Sequence, residues 1–308
     1  MDADTPPSDL QGSIAGKSAW TRPRYRKSPY WSRLNWGGVA GLLLIVVAIS
    51  TAVFAPALAP HDPLKQNLPG RLQPPLWRDD SGDLHVLGTD QLGRDLLSRM
   101  IYGARISLIV AGTAVPISAA LGVLLGVTSG FIRGHYENLV MRVLDVQLAL
   151  PFILLALAVL VAVGPSFRNI VLLLGITGWT GFARLLRAET LSLRERDFVS
   201  AAEMIGASRR RIVFRHILPN TVSTIIVLVT LQVPQVIVIE SALSFLGLGI
   251  QPPTPSWGGM LSQGRRYLLN QWWVAVFPGL CITLVVLGGN LLGDWLRDTL
   301  DPRHRRPS

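Results

Sequence analysis

No charge interrupts the chain between Arg105 and Arg133, nor from Leu34 to Pro60. A helix crosses a bilayer core with roughly 20 apolar residues, and lipid offers no partner to unpaired backbone groups. Such runs therefore read as spanning helices, near 37–58 and 106–132. Four further stretches qualify: 146–167, 169–183, 217–239 and 272–293. The fourth is short, but Leu185 and Leu186 extend it if Arg184 and Arg187 snorkel to the interface. The expected fold is an all-α polytopic membrane protein with six transmembrane helices.

Composition agrees, since 49% of residues are hydrophobic and only 16% charged, against about a quarter charged in soluble domains. The net charge of +10 does not point to nucleic acid, because aromatic residues are few and not interleaved with basic ones. Lys and Arg instead gather in cytoplasmic loops of membrane proteins. With the N-terminus inside, twenty of them fall on one side, in the N-terminal tail, the 129–142 and 184–216 loops and the C-terminal tail; eight fall on the other. Both termini are expected in the cytoplasm. This divides the chain into a cytoplasmic tail (1–33), a first span with an extracytoplasmic segment (34–103), a core of five spans (104–296) and a C-terminal tail (297–308). Residues 1–30, rich in Pro, Ser and charge, read as disordered rather than as a signal peptide.

Small residues recur at four-residue spacing in Gly37/Gly41, Gly122/Gly126/Gly130 and Gly289/Gly293. Such stripes let helices approach closely where lipid provides no hydrophobic drive. The lone cysteine, Cys281, lies in an apolar run, which excludes an intrachain disulfide and leaves it a role in filling space.

Chemistry is scarce. Gly16-Lys17-Ser18 is similar to the end of a phosphate-binding loop, but Gly12 and Gly16 are separated by three residues where that loop needs four. The histidines at 61, 85, 135, 216 and 304 show no metal-ligand spacing, and no nucleophile arrangement is present. No catalytic residue, metal site or resident cofactor is expected. Two acidic residues lie at span ends, where charge is expensive. Asp145 follows Arg142 by three residues, suggesting an interfacial ion pair. Glu240 closes the fifth span, either to hold a cationic group of a passing solute at an outer gate or to cap a partner helix.

Between spans four and five lies "FVSAAEMIGASRRRIVFRHILPN", residues 198–220. Phe198, Ala201, Ala202 and Ile205 form an apolar stripe that ends at Gly206. A second piece carries Ile212 and Val213 amid Arg209, Arg210, Arg211 and Arg215. Pro219 then opens the next span, tolerable in a first turn. The expectation is two short helices joined at Gly206 and lying along the membrane surface. The Ala-Ala pair and Gly206 offer little bulk to lipid but a close-fitting surface to a protein.

This segment resembles the cytoplasmic EAA loop of ABC-importer permeases, with Ala201-Ala202, Gly206 and Leu218-Pro219 at that spacing. "LAPHDP" (58–63), "LGTDQLGRDLLSRMIYGARISL" (87–108), "LDVQLALPFILLAL" (144–157), "ESALSFLGLGIQPPTPSWGGML" (240–261) and "DPR" (301–303) narrow the resemblance to C-type subunits of the dipeptide/oligopeptide/nickel permease family. It implies that the segment is a coupling helix docked on a cytoplasmic ATPase, through Phe198, Ala201, Ala202, Gly206, Arg209, Ile212, Leu218 and Pro219. It also implies a second homologous permease, two ATPases that bind ATP and Mg, and an extracytoplasmic binding protein received by 59–103 and 241–272, all in a bacterial inner membrane. Ser200 stands where the pattern has its leading glutamate, and His216 where it has isoleucine. The implied cargo is a di- or oligopeptide, with nickel or another small solute as the alternative. A secondary transporter would need ionisable residues at mid-span, and the six uncharged cores hold none. A membrane assembly factor that moves nothing would have no use for the coupling segment.

Overall fold

The computed structural model describes residues 36–300. The predicted tail 1–33, the C-terminal tail from 301 on and the DPR match at 301–303 lie outside them. Within them the chain is mostly helical, apart from the segment expected to be extracytoplasmic. Helix α1 (Trp36–Val53) and a single turn, α2 (Ala55–Leu58), lead into that segment. Here a two-stranded antiparallel ribbon, β1 (Trp77–Arg78) and β2 (Leu84–His85), two residues a strand, is a minor addition to the expected all-α fold. Asp79 makes the turn between them, its Oδ1 accepting from the backbone N–H of Ser81 at 2.9 Å and of Asp83 at 2.8 Å.

The spine of the molecule is α3 (Leu96–Ile132). At 1.5 Å per residue it is about 55 Å long, well beyond a ~30 Å hydrocarbon core. Its charged N-terminal turns, with Arg99 and Arg105, precede the uncharged run that begins at Ile106. Asp95 caps it by accepting the Ser98 N–H at 2.8 Å.

The third predicted span is not one straight helix. The stretch expected as a loop at 129–142 instead completes α3 and opens α4 (Gly134–Ala149), and α5 (Phe152–Val163) follows at 88° to it. Pro151 explains the break: it lacks an N–H and disfavours helical geometry at Leu150, which is extended. Five helical stretches are individually long and apolar enough to cross a membrane, and six if this bent pair counts as one.

The short fourth span is secure. Helices α6 (Phe167–Thr177) and α7 (Trp179–Arg194) run on as one apolar stretch. Their arginines are held by α4 rather than snorkelling alone. Arg187 pairs with Glu137, and Arg184 lies 2.9 Å from Asp145. The second pair corrects the expected Asp145–Arg142 contact. It is exposed on both sides, so solvent screens it to near insignificance.

The segment expected to couple, called the coupling segment for that expectation, comprises α8 (Asp197–Met204) and α9 (Arg209–Ile212). A π-helical turn, Val213–Ile217, joins α9 to α10 (Leu218–Phe245). Helix α11 (Trp257–Gly264) packs beside the head of α3 before α12 (Trp273–Leu300).

Glycine stripes set the helix contacts. Added Cβ atoms at Gly122 and Gly126 would fall 2.3 Å from Phe182 Cβ and 2.7 Å from the Ala183 carbonyl, so α3 and α7 touch backbone to backbone. Gly41 meets Gly288 of α12 in the same way, and Gly289 meets Pro234 of α10. In α1 the tight partner of Gly41 is Gly38, against Trp295, rather than Gly37.

Candidate functional site: the coupling segment and the extracytoplasmic cap

The end of α7 positions the coupling segment. Arg194 donates from Nη1 to the Phe131 carbonyl at 2.7 Å and lies over the Phe131 ring, 5.3 Å from its centroid. Leu193, Val199, Ala202, Ile212 and Ile217 are buried in one cluster with Phe131, Phe182 and Leu186. Val199 and Ala202, three apart, bring the same face of α8 down onto this core.

The other face is also apolar, and it is bare. Met204 is 82% exposed, Ile205 86% and Phe214 68%, with Phe198 and Ala201 exposed beside them. Large apolar side chains clustered in the open mark an interaction surface. Helix α8 ends as a Schellman motif: the Ala207 N–H donates to the Ala202 carbonyl and the Gly206 N–H to that of Glu203, both at 3.0 Å. Gly206 takes the left-handed conformation this requires, φ +80°. Ser208 then caps α9, its Oγ accepting from the Arg211 N–H.

The structure divides the residues singled out in sequence. Phe198, Ala201, Gly206, Arg209 and Pro219 are exposed; Ala202 and Ile212 are buried against this chain's own core, and Leu218 is half-buried. The predicted stripe therefore splits, with Ala202 facing inward and Phe198, Ala201 and Ile205 outward. Met204, not anticipated, joins the outer face. Only the first expected short helix is separate. The second runs through the π turn into the fifth span, in a stretch from Arg209 to Phe245, and Pro219 sits in the first turn of α10, as expected. The π turn just before it opens the hydrogen-bond ladder where Pro219 supplies no N–H.

At the far end of α3, charges that read as loop residues form a buried network. Arg94 donates from Nε to Asp90 Oδ2 at 2.7 Å, and Arg99 Nε lies 3.2 Å from the same oxygen. All three side chains are nearly inaccessible. The Thr89 hydroxyl donates to the Gly70 carbonyl at 2.6 Å. The spacing of Asp90 and Arg94, and of Asp95 and Ser98, was the only sequence signal. The cap joins the two segments expected to receive a binding protein. Gln91 Nε2 donates to Gln263 Oε1 at 2.9 Å, and Trp257 Nε1 to the Met100 carbonyl at 2.9 Å. A cleft of about 260 Å³ opens between them, lined by Gln91, Gln263, Arg265, Arg266 and Tyr267. Glu240 is fully buried in α10, its Oε1 accepting from the Ser244 hydroxyl at 2.8 Å.

Comparisons with known proteins agree with this architecture. Residues 122–306 match the family described as binding-protein-dependent transport system inner membrane component. Residues 32–75 match the N-terminal TM domain of oligopeptide transport permease C. The di/tripeptide transport system permease protein DppC of Pseudomonas aeruginosa is 45% identical over 269 residues, covering 87% of this chain and 89% of that protein. The dipeptide transport system permease protein DppC of Escherichia coli is 43% identical over 274 residues, covering 89% and 91%. Among solved structures, a chain of the MetNI methionine ABC transporter in inward-facing conformations superposes with a TM-score of 0.54 at 16% identity. It covers 67% of this chain and 98% of that one, a likeness of fold. The chain belongs to the family of inner membrane components of binding-protein-dependent transport systems, and is a multi-pass permease, not itself an enzyme.

Proposed function

We propose that this chain is one of two homologous permeases in an ATP-driven importer of di- or tripeptides, with both termini in the cytoplasm. The observation that carries the coupling role is the two-faced helix α8. Val199 and Ala202 fasten it to the permease core while Phe198, Met204 and Ile205 are presented outward. A helix anchored in this way transmits force, because whatever grips the outer face moves α7 and α10 with it. The grip belongs to one of two cytoplasmic ATPases, which bind ATP and Mg; the exposed Arg209, Arg210, Arg211 and Arg215 offer it acidic-group contacts. Cargo is inferred from the di- and tripeptide transport for which relatives more than 40% identical over most of both chains are named.

The second permease and lipid share the open faces of α4, α5 and α10, where Val143, Val146, Leu154 and Val161 are more than half exposed. On the opposite side, the cleft between Gln91 and Arg265 receives the solute-binding protein. Glu240 meets solute only when α10 and α11 part.

The test is reconstitution of the purified assembly in liposomes with a dipeptide-loaded binding protein. ATP-dependent uptake that is lost in Ile205→Glu, together with loss of ATPase co-purification, is expected. Uptake without ATP, or a variant that retains both activities, would overturn the reading.

A further inference from the structure

The histidines that are far apart in sequence meet in space. His61, in the loop after α2, and His85, on β2, stack with ring centroids 4.7 Å apart, and Trp77 covers the outer face of His85 at 5.4 Å. Both imidazoles turn Nδ1 toward one carboxylate oxygen. His85 Nδ1 lies 2.9 Å from Asp95 Oδ1, and His61 Nδ1 lies 3.6 Å from the same atom. The second distance is too long for a hydrogen bond. His61 Nδ1 is buried, and among the described residues it has no hydrogen-bond partner.

We propose that His61, His85 and Asp95 form a binding site for a Zn²⁺-class divalent metal ion. The three donor atoms lie within 4.8 Å of one another. Ligands at about 2.1 Å around a tetrahedral ion sit roughly 3.4 Å apart, so modest side-chain rotation brings the set onto one ion. Two imidazoles and a carboxylate suit Zn²⁺ or Ni²⁺ over Mg²⁺ or Ca²⁺, which prefer all-oxygen shells. The ion takes an Nδ1 lone pair from each imidazole, which leaves the ring proton on Nε2. His61 is the least buried member, its side chain 21% exposed, and leaves a side open for a water ligand.

Supporting contacts hold the donors in place, as metal sites require. Asp95 Oδ2 is held by the Ser98 N–H at 2.8 Å, and the Ser98 hydroxyl accepts the His61 N–H at 3.0 Å. The Leu76 and Gly88 N–H groups both donate to the His85 carbonyl. A bound ion would tie the loop after the first span, the ribbon and the start of α3 into one body. The site lies at the opposite end of α3 from the coupling segment, so it stands independently of the transport assignment and serves the cap rather than the solute path.

The experiment is metal counting and Zn²⁺ titration on the intact detergent-purified complex after chelator treatment, with Co²⁺ as a spectroscopic probe. The variants are His61→Ala and Asp95→Asn; asparagine still caps α3, so the second separates metal binding from helix capping. One Zn²⁺ per copy of this chain is expected, with binding weakened at least ten-fold in each variant and a complex that elutes at its normal size. A d–d spectrum of low-symmetry Co²⁺ that vanishes in both variants supports the same ligands. Absence of Zn²⁺ uptake by the wild-type complex, or equal uptake by wild type and variants, would overturn the site.

Discussion

Gly93 and Gly206 both hold left-handed turns, at φ +71° and +80°, yet their surroundings are opposite. A Cβ at Gly93 would land 1.7 Å from the Asn67 carbonyl oxygen, whereas one at Gly206 would meet nothing within 4 Å. The difference holds for the two ends of the molecule as wholes. Around the head of α3 the chain is closed on itself: Asp90, Arg94, Asp95 and Arg99 are buried together, and the backbone at Gly93 is boxed in. The coupling segment is closed on one face only and leaves Met204 and Ile205 in the open. A region that completes itself is built for rigidity, and one that stops halfway is built to be completed by another chain.

Substitutions can break this contrast. Gly93→Ala should have the largest effect, since both strain and overlap with fixed backbone oppose it; a loss of at least about 5 kcal/mol places it in the exceptional class. It would be read as loss of folded protein in thermal unfolding in detergent. Arg99→Ala removes one partner from a buried charge network, which costs about 3–5 kcal/mol. Arg94 remains on Asp90, so the lower end of that range is expected in the same assay. Gly206→Ala meets only the left-handed backbone penalty of about 1–2 kcal/mol, with no clash. A Gly206 variant as damaging as Gly93→Ala would show that the coupling turn is boxed in after all. Ile205→Glu should change stability by no more than ~0.5 kcal/mol, as for other surface substitutions. ATPase co-purification should nevertheless be lost. Unfolding of that variant would mean that the outer face of α8 supports this chain instead of a partner.

Much of this was legible before any coordinates. Uncharged length marked the spans because the cost of exposing backbone in lipid leaves few alternatives, and the small-residue stripes fell at helix contacts. Gly206 announced the end of α8 because only glycine relaxes into that turn without a Cβ penalty. Other features were not legible. The 88° bend between α4 and α5 follows from Pro151, but the chain alone does not say whether a proline kinks a span or ends it. Ala202 and Ile205 looked alike as members of one apolar stripe. A helix with two apolar faces gives periodicity no way to choose which one the core takes.

The burial of the charges around the head of α3 was not legible for a related reason. Asp90, Arg94, Asp95 and Arg99 have the composition of a solvated loop, and only their convergence shows that they are an interior. Likewise His61 and His85, separated by 24 positions in sequence, share one carboxylate only after the ribbon folds back over the head of α3. What the sequence determined by itself was what the solvent enforces locally: the spans, the helix caps and the glycine that ends α8. The tertiary structure alone decided which polar groups pair across the chain and which apolar face stays bare, because those outcomes depend on distances that no run of neighbouring residues encodes.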